Sequence, residues 1–103
     1  MATIHLDFDR SRIKDFCRKW KITRMAFFGS ILRDDFGPAS DADVIVTYAS
    51  DIDWSSYDYL AMREEIETLF ARQVDVVEEG TIRNPIKRRC IYENLEVIYE
   101  SGR

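Results

Sequence analysis

Apolar positions along the 103-residue chain recur in two rhythms, one near 3.6 and one of short continuous runs. Ile13, Phe16, Cys17 and Trp20 fall at i, i+3, i+4 and i+7. That spacing predicts an amphipathic helix over about 10–20, with Asp9 or Ser11 capping its start. Residues 23–28, Thr-Arg-Met-Ala-Phe-Phe, form a short apolar run that stops at Gly29-Ser30, the pattern of a buried strand closed by a sharp turn. A short helix from Ile31 to about Asp35 is expected next, ended by Gly37-Pro38. Asp43 to Tyr48, with Val44, Ile45 and Val46, predicts a second buried strand. Leu60, Met62, Ile66, Leu69 and Phe70 give a helical stripe over about 56–72, and Val74 to Glu78 predicts a third strand closed by Gly80. Asn84-Pro85 has the form of an N-cap followed by proline at the first helical position. It opens a helix to about Glu93, stopped by Asn94, and Leu95 to Tyr99 reads as a last short strand at an edge. The alternation predicts an α/β domain over residues 1–103, a small mixed β-sheet with flanking helices.

Composition narrows the function classes. A hydrophobic fraction of 46% with 13% aromatics excludes intrinsic disorder. A net charge of −4 argues against a general nucleic-acid binder working through a basic surface. No apolar run approaches the roughly 20 residues of a membrane span and no apolar leader opens the chain, so a cytoplasmic protein without membrane contact is expected. Cys17 and Cys90 lie far apart with only His5 beside them in the inventory, so a zinc site lacks ligands. Both cysteines fall in apolar helical patterns and are expected to be free, buried and structural.

Charge changes the picture more. Residues 34–80 hold thirteen Asp+Glu against two Lys+Arg, while residues 1–33 hold eight Lys+Arg against three Asp+Glu. Packed carboxylates repel, so an acidic middle calls for an explanation. Asp51, Asp53, Asp58, Glu64, Glu65 and Glu67 are accounted for as solvated positions, and cations held by a subset of the others explain the remainder. The basic stretch Arg83, Lys87, Arg88, Arg89 has poor aromatic interleaving for nucleic-acid stacking. Trp54, Tyr57 and Tyr59 are candidates either for a partner surface or for core packing.

The chemistry collects between residues 27 and 46. Gly29-Ser30 stands where a strand turns into a helix, so free backbone N–H groups and the positive end of the helix dipole face outward. Glycine lets the backbone approach a ligand and the Ser30 hydroxyl adds a donor, which makes a cradle for phosphate. A Walker P-loop is excluded because no Gly-Lys-Ser/Thr follows. Asp41 and Asp43, one residue apart at a strand start, point to the same face. Two close carboxylates there suit Mg²⁺ or Mn²⁺ with substrate phosphates. An EF-hand fails on Ile45 and on the missing glycine and glutamate. Asp75, alone inside Val74-Asp75-Val76-Val77, is the candidate third carboxylate of a two-metal site, or else an exposed edge residue. Glu78 and Glu79 are the next acids in line.

Gly29-Ser30-x-x-Arg33 followed by Ser40-Asp41-x-Asp43 resembles the signature of the DNA polymerase β-like nucleotidyltransferases. More narrowly, the chain resembles the minimal nucleotidyltransferases (MNT), antitoxin-type proteins commonly encoded beside a HEPN-domain toxin. The likeness covers nearly the whole length; Asp34 departs from it, standing where the family usually has glycine. It implies transfer of AMP from ATP with release of pyrophosphate. Gly29 and Ser30 would hold the triphosphate, Asp41 and Asp43 would bind Mg²⁺, and Asp75 would join the second metal and help deprotonate the incoming hydroxyl. Arg33 would contact phosphate or brace the turn. The acceptor so implied is a hydroxyl, above all a tyrosine, on a HEPN toxin. The alternative is a non-catalytic antitoxin that neutralises its partner by covering it. Homo- and hetero-oligomers are both compatible with the pattern.

Overall fold

The computed structural model describes residues 8–29, 37, 41–50 and 53–101. The elements run α1 (Arg10–Lys19), β1 (Ile22–Phe28), β2 (Ala42–Tyr48), α2 (Ser56–Phe70), β3 (Val74–Glu78), α3 (Pro85–Glu93) and β4 (Glu96–Glu100). The short helix expected over 31–35 lies outside the described residues.

Local chemistry sets the boundaries. The Asp9 carboxylate accepts from the backbone N–H groups of Ser11 and Arg12 at 2.9 and 3.4 Å, which caps α1. A reciprocal capping box between Ser55 and Asp58 opens α2, and Asn84 with Pro85 behind it opens α3. Ala71, at φ +55, ends α2 in the left-handed conformation.

The four strands form one mixed sheet in the order β3-β2-β1-β4. β1 is antiparallel to β2 and β4, and β2 is parallel to β3. Both faces are covered. On one, Ile13, Phe16 and Cys17 of α1 and Met62, Ile66 and Phe70 of α2 pack on Met25, Phe27, Val44, Val46 and Val74. On the other, Ile82 and Ile91 pack on Ala26 and Ile45, with Phe28, Val77 and Leu95 alongside. A β-bulge between Ile22 and Arg24 resets the alternation, so Ile22 joins Met25 and Phe27 in the first core although its parity is opposite. Among the described residues no helix is long and apolar enough to cross a membrane.

Three expectations are corrected. Cys17 is buried, but Cys90 is exposed, because α3 meets the sheet chiefly through Ile91 and leaves the rest of its surface in water. Leu60 is 57% exposed, since the buried stripe of α2 follows Met62, Ile66 and Phe70 at i, i+4, i+8 and turns Leu60 away. Glu65 and Glu67 are engaged rather than merely solvated. Glu65 accepts from Lys19 Nζ and Trp20 Nε1 at 2.7 and 3.2 Å, and Glu67 accepts from the Val74 N–H at 3.1 Å.

Candidate functional site

Strand pairing assembles the site from three separate stretches of chain. The antiparallel ladder sets Phe28, the last residue of β1, opposite Asp43, and the parallel ladder sets Asp43 opposite Asp75. Ala42 and Val44 flank Asp43 and Val74 flanks Asp75, all three buried in the core under α1 and α2; Val76, the other neighbour of Asp75, packs against that core. Alternation therefore turns both aspartates to the opposite face, on strands about 4.8 Å apart. Asp43 is half-buried and Asp75 exposed on the edge strand, so the edge reading and the adjacency to Asp43 both hold.

Gly29 closes the site against β1. Its φ is +75°, a conformation that side chains disfavour, and a Cβ there would lie 2.6 Å from Asp43 Oδ2 and 3.4 Å from Asp43 Cγ. Only glycine lets the backbone turn this tightly beside the carboxylate. Asp41 precedes β2 and is exposed; the next residue, Ala42, donates its N–H to the Gln73 carbonyl at 3.0 Å, tying the entry of β2 to that of β3. Ser30 and Arg33 lie outside the described residues.

The start of β3 is held from its outer edge by α2. Glu67 Oε2 accepts from the Val74 N–H, Arg63 Nη2 donates to the Val74 carbonyl at 2.9 Å, and the two side chains stand 3.6 Å apart. Edge backbone groups that would otherwise rely on water are thereby paired, which fixes the residue before Asp75. Arg72 Nη1 donates to the Gly37 carbonyl at 3.1 Å. Sequence reasoning missed these positioning side chains. The i,i+4 pair Arg63/Glu67 just ahead of a strand was the available signal.

The donor set fits a hard divalent cation. Asp43 and Asp75 supply carboxylate oxygens in adjacent register, and Gly29 keeps a side chain out of the space beside them. Among the described residues no three His, Cys, Asp or Glu side chains gather into a metal-holding group, so Asp41, Asp43 and Asp75 are not drawn together as a set of three.

The far end of the same face is built differently. Thr47 Oγ1 donates to Glu79 Oε1, Tyr92 Oη donates to Glu79 Oε2 at 2.5 Å, and Arg24 Nη1 stands 3.7 Å from the latter oxygen. The hydroxyl bonds from Thr47 and then Tyr92 hold the Glu79 carboxyl below its ordinary range against the opposing effect of burial, with the Arg24 charge adding a lesser pull in the same direction. Glu79 thus lies away from the Asp43–Asp75 pair.

Residues 10–98 match the nucleotidyltransferase domain family. A protein of Methanocaldococcus jannaschii named "putative protein adenylyltransferase" is 30% identical over 93 residues, covering 82% of this chain and 93% of its own. Among solved structures, a toxin–antitoxin with AMP-PNP superposes with a TM-score of 0.70 at 15% identity, over 92% of this chain and 76% of that one. The complex of a tri-AMPylated Shewanella oneidensis HEPN toxin with MNT antitoxin superposes with a TM-score of 0.61 at 16% identity, over 89% of this chain and 70% of that one. At such identities the structural likeness establishes the fold, and the sequence match establishes the rest: the chain belongs to the nucleotidyltransferase domain family and is a nucleotidyltransferase.

Proposed function

We propose that the chain moves AMP from ATP to a hydroxyl of a partner protein, as the antitoxin that adenylylates a HEPN-type toxin. The observation that carries this reading is the close approach of Gly29 to Asp43 with Asp75 in register beside it. The relative named for protein adenylyl transfer and the fold shared with antitoxins of AMPylated HEPN toxins support it.

Gly29 and Ser30 receive the triphosphate, and Arg33 contacts it or braces the turn. Asp41, Asp43 and Asp75 would contribute ligands to Mg²⁺, with triphosphate oxygens supplying the rest because the three carboxylates are not gathered into one set; when bound, the metal neutralises phosphate charge and lowers the pKa of the attacking hydroxyl. Asp75 lies on the exposed edge strand, where an incoming protein can reach it. There its carboxylate accepts the proton of the acceptor hydroxyl. The hydroxyl oxygen forms a bond to the α-phosphorus as the bond from that phosphorus to the bridging oxygen breaks, and pyrophosphate leaves with the electron pair.

Incubation with α-labelled ATP, Mg²⁺ and the product of the adjacent gene tests this. Label should pass to the partner, and Asp43→Asn or a chelator should stop it. Neutralisation of the partner without label would establish the covering antitoxin instead.

A further inference from the structure

β3 ends the sheet, so the backbone groups on its outer side face no strand. In a parallel ladder every second residue turns both its N–H and its C=O to the neighbouring strand. Ala42 donates to the Gln73 carbonyl at 3.0 Å and Glu79 donates to the Val46 carbonyl at 2.7 Å, which turns Gln73, Asp75, Val77 and Glu79 toward β2. Val74, Val76 and Glu78 therefore present their backbone groups outward. The Glu78 carbonyl is taken by the turn that follows, through the Thr81 N–H at 3.2 Å and Oγ1 at 2.7 Å.

Val74 is held another way. Glu67 takes its N–H and Arg63 its carbonyl, and the i,i+4 spacing sets both side chains on one flank of α2 beside the buried stripe Met62, Ile66 and Phe70. One acceptor and one donor side by side present to β3 what the edge of a further strand would present. Among the described residues no side chain of α2 does this for Val76 or Glu78. Water can satisfy edge peptide groups and an accessible ion pair contributes little to stability, so folding alone does not call for the arrangement. Its position gives it a use. The Val74 carbonyl and the Asp75 N–H belong to one planar peptide unit, which Arg63 holds from outside while β2 holds it from inside. Asp75 is the second residue of an edge strand, where a chain opens most readily, and a working carboxylate has to be held to about 0.5 Å.

We propose that Arg63 and Glu67 are positioning residues for the transfer: they take the place of a further strand and, through the Val74 peptide groups, fix where the Asp75 carboxylate stands beside Asp43. This role rests on Asp75 serving the transfer proposed above, and two measurements separate the two claims. In the protein free of metal and nucleotide, the Val74 amide should be protected from hydrogen exchange, exchange about tenfold faster in Glu67→Ala, and recover in Glu67→Gln, whose side-chain carbonyl still accepts. In the transfer assay Glu67→Ala and Arg63→Ala should each lower kcat about tenfold, with KM for ATP within a few-fold, and Glu67→Gln should restore most of the rate. In an Asp75→Asn background Glu67→Ala should change the rate by less than about twofold, because the group it positions is gone. A normal rate in Asp75→Asn alone, or no transfer by the wild type, would overturn the reading of Asp75 and the positioning role with it. A slow Asp75→Asn beside a normal Glu67→Ala, or the same loss from Glu67→Ala with and without Asp75, would overturn the positioning role alone. So would a Val74 amide that exchanges freely in the wild type.

Discussion

Asp75, near the start of β3, and Glu79, the residue after its end, lie four residues apart, and their surroundings are opposite. Glu79 is saturated by Thr47, Tyr92 and Arg24, side chains from β2, α3 and β1. Asp75 is exposed and has no partner of its own among the described residues; Arg63 and Glu67 of α2 bond the backbone of the preceding residue, Val74, and not its carboxylate. A carboxylate whose lone pairs are filled from within contributes to folding. One left at an edge beside a second carboxylate contributes little to the fold and is available to a ligand. The contrast teaches that two acids on one stretch of chain can be placed for different ends, and that the direction of the neighbouring donors sets which is held from within.

The strongest way to break the comparison is to neutralise Asp75. Asp75→Asn should lower the transfer rate by roughly 10²-fold or more, the scale for losing a general base. Affinity for Mg²⁺ with a non-hydrolysable ATP analogue should stay within a few-fold, and Tm should not fall. Calorimetric titration beside a transfer assay reads both, and a normal transfer rate would remove Asp75 from the site.

Glu79→Ala should do the reverse. It removes the acceptor of two hydroxyl bonds and should cost about 1–2 kcal/mol in stability by denaturant titration, with transfer close to wild type. The pH dependence sharpens the point. Because the folded Glu79 carboxyl lies below its ordinary value, its contribution is full above the unfolded carboxyl range and is lost as pH falls through the folded value. The stability gap between wild type and Glu79→Ala should therefore shrink as pH falls through and below the ordinary carboxyl range. A gap independent of pH would mean that packing, not the charge, is what Glu79 supplies.

The smallest effect compares the two sheet faces. Burial pushes the Cys17 thiol under α1 up to about 12, whereas Cys90 stands in water on α3. A disulfide reagent at about pH 8 should label Cys90 readily and Cys17 only on unfolding. Raising the pH above the ordinary thiol range favours the unfolded chain, where Cys17 ionises freely, so this small share of stability fades on the alkaline side. Equal labelling of both thiols in the folded protein would show that α1 opens as readily as α3.

Much of this was legible in the chain. Seven elements stand where periodicity put them, because helix and strand rhythm, the Asn84-Pro85 cap and the turn at Gly29 depend on neighbours a few residues away. Cys90 and Leu60 were misread because an apolar residue near a helical stripe does not reveal how closely its helix approaches the sheet. Glu67 was misread because its donor is a backbone N–H on another element.

What the sequence determined by itself was local: which stretches form helices and strands, that the chain turns sharply at Gly29, and which carboxylates interrupt apolar runs. Tertiary structure decided the register that sets Asp75 opposite Asp43, the collision that reserves Gly29, and the donors that fill Glu79. The reason is physical. Dihedral and capping preferences act over a few residues, whereas strand order and register are fixed only when helices bury both faces of the sheet at once.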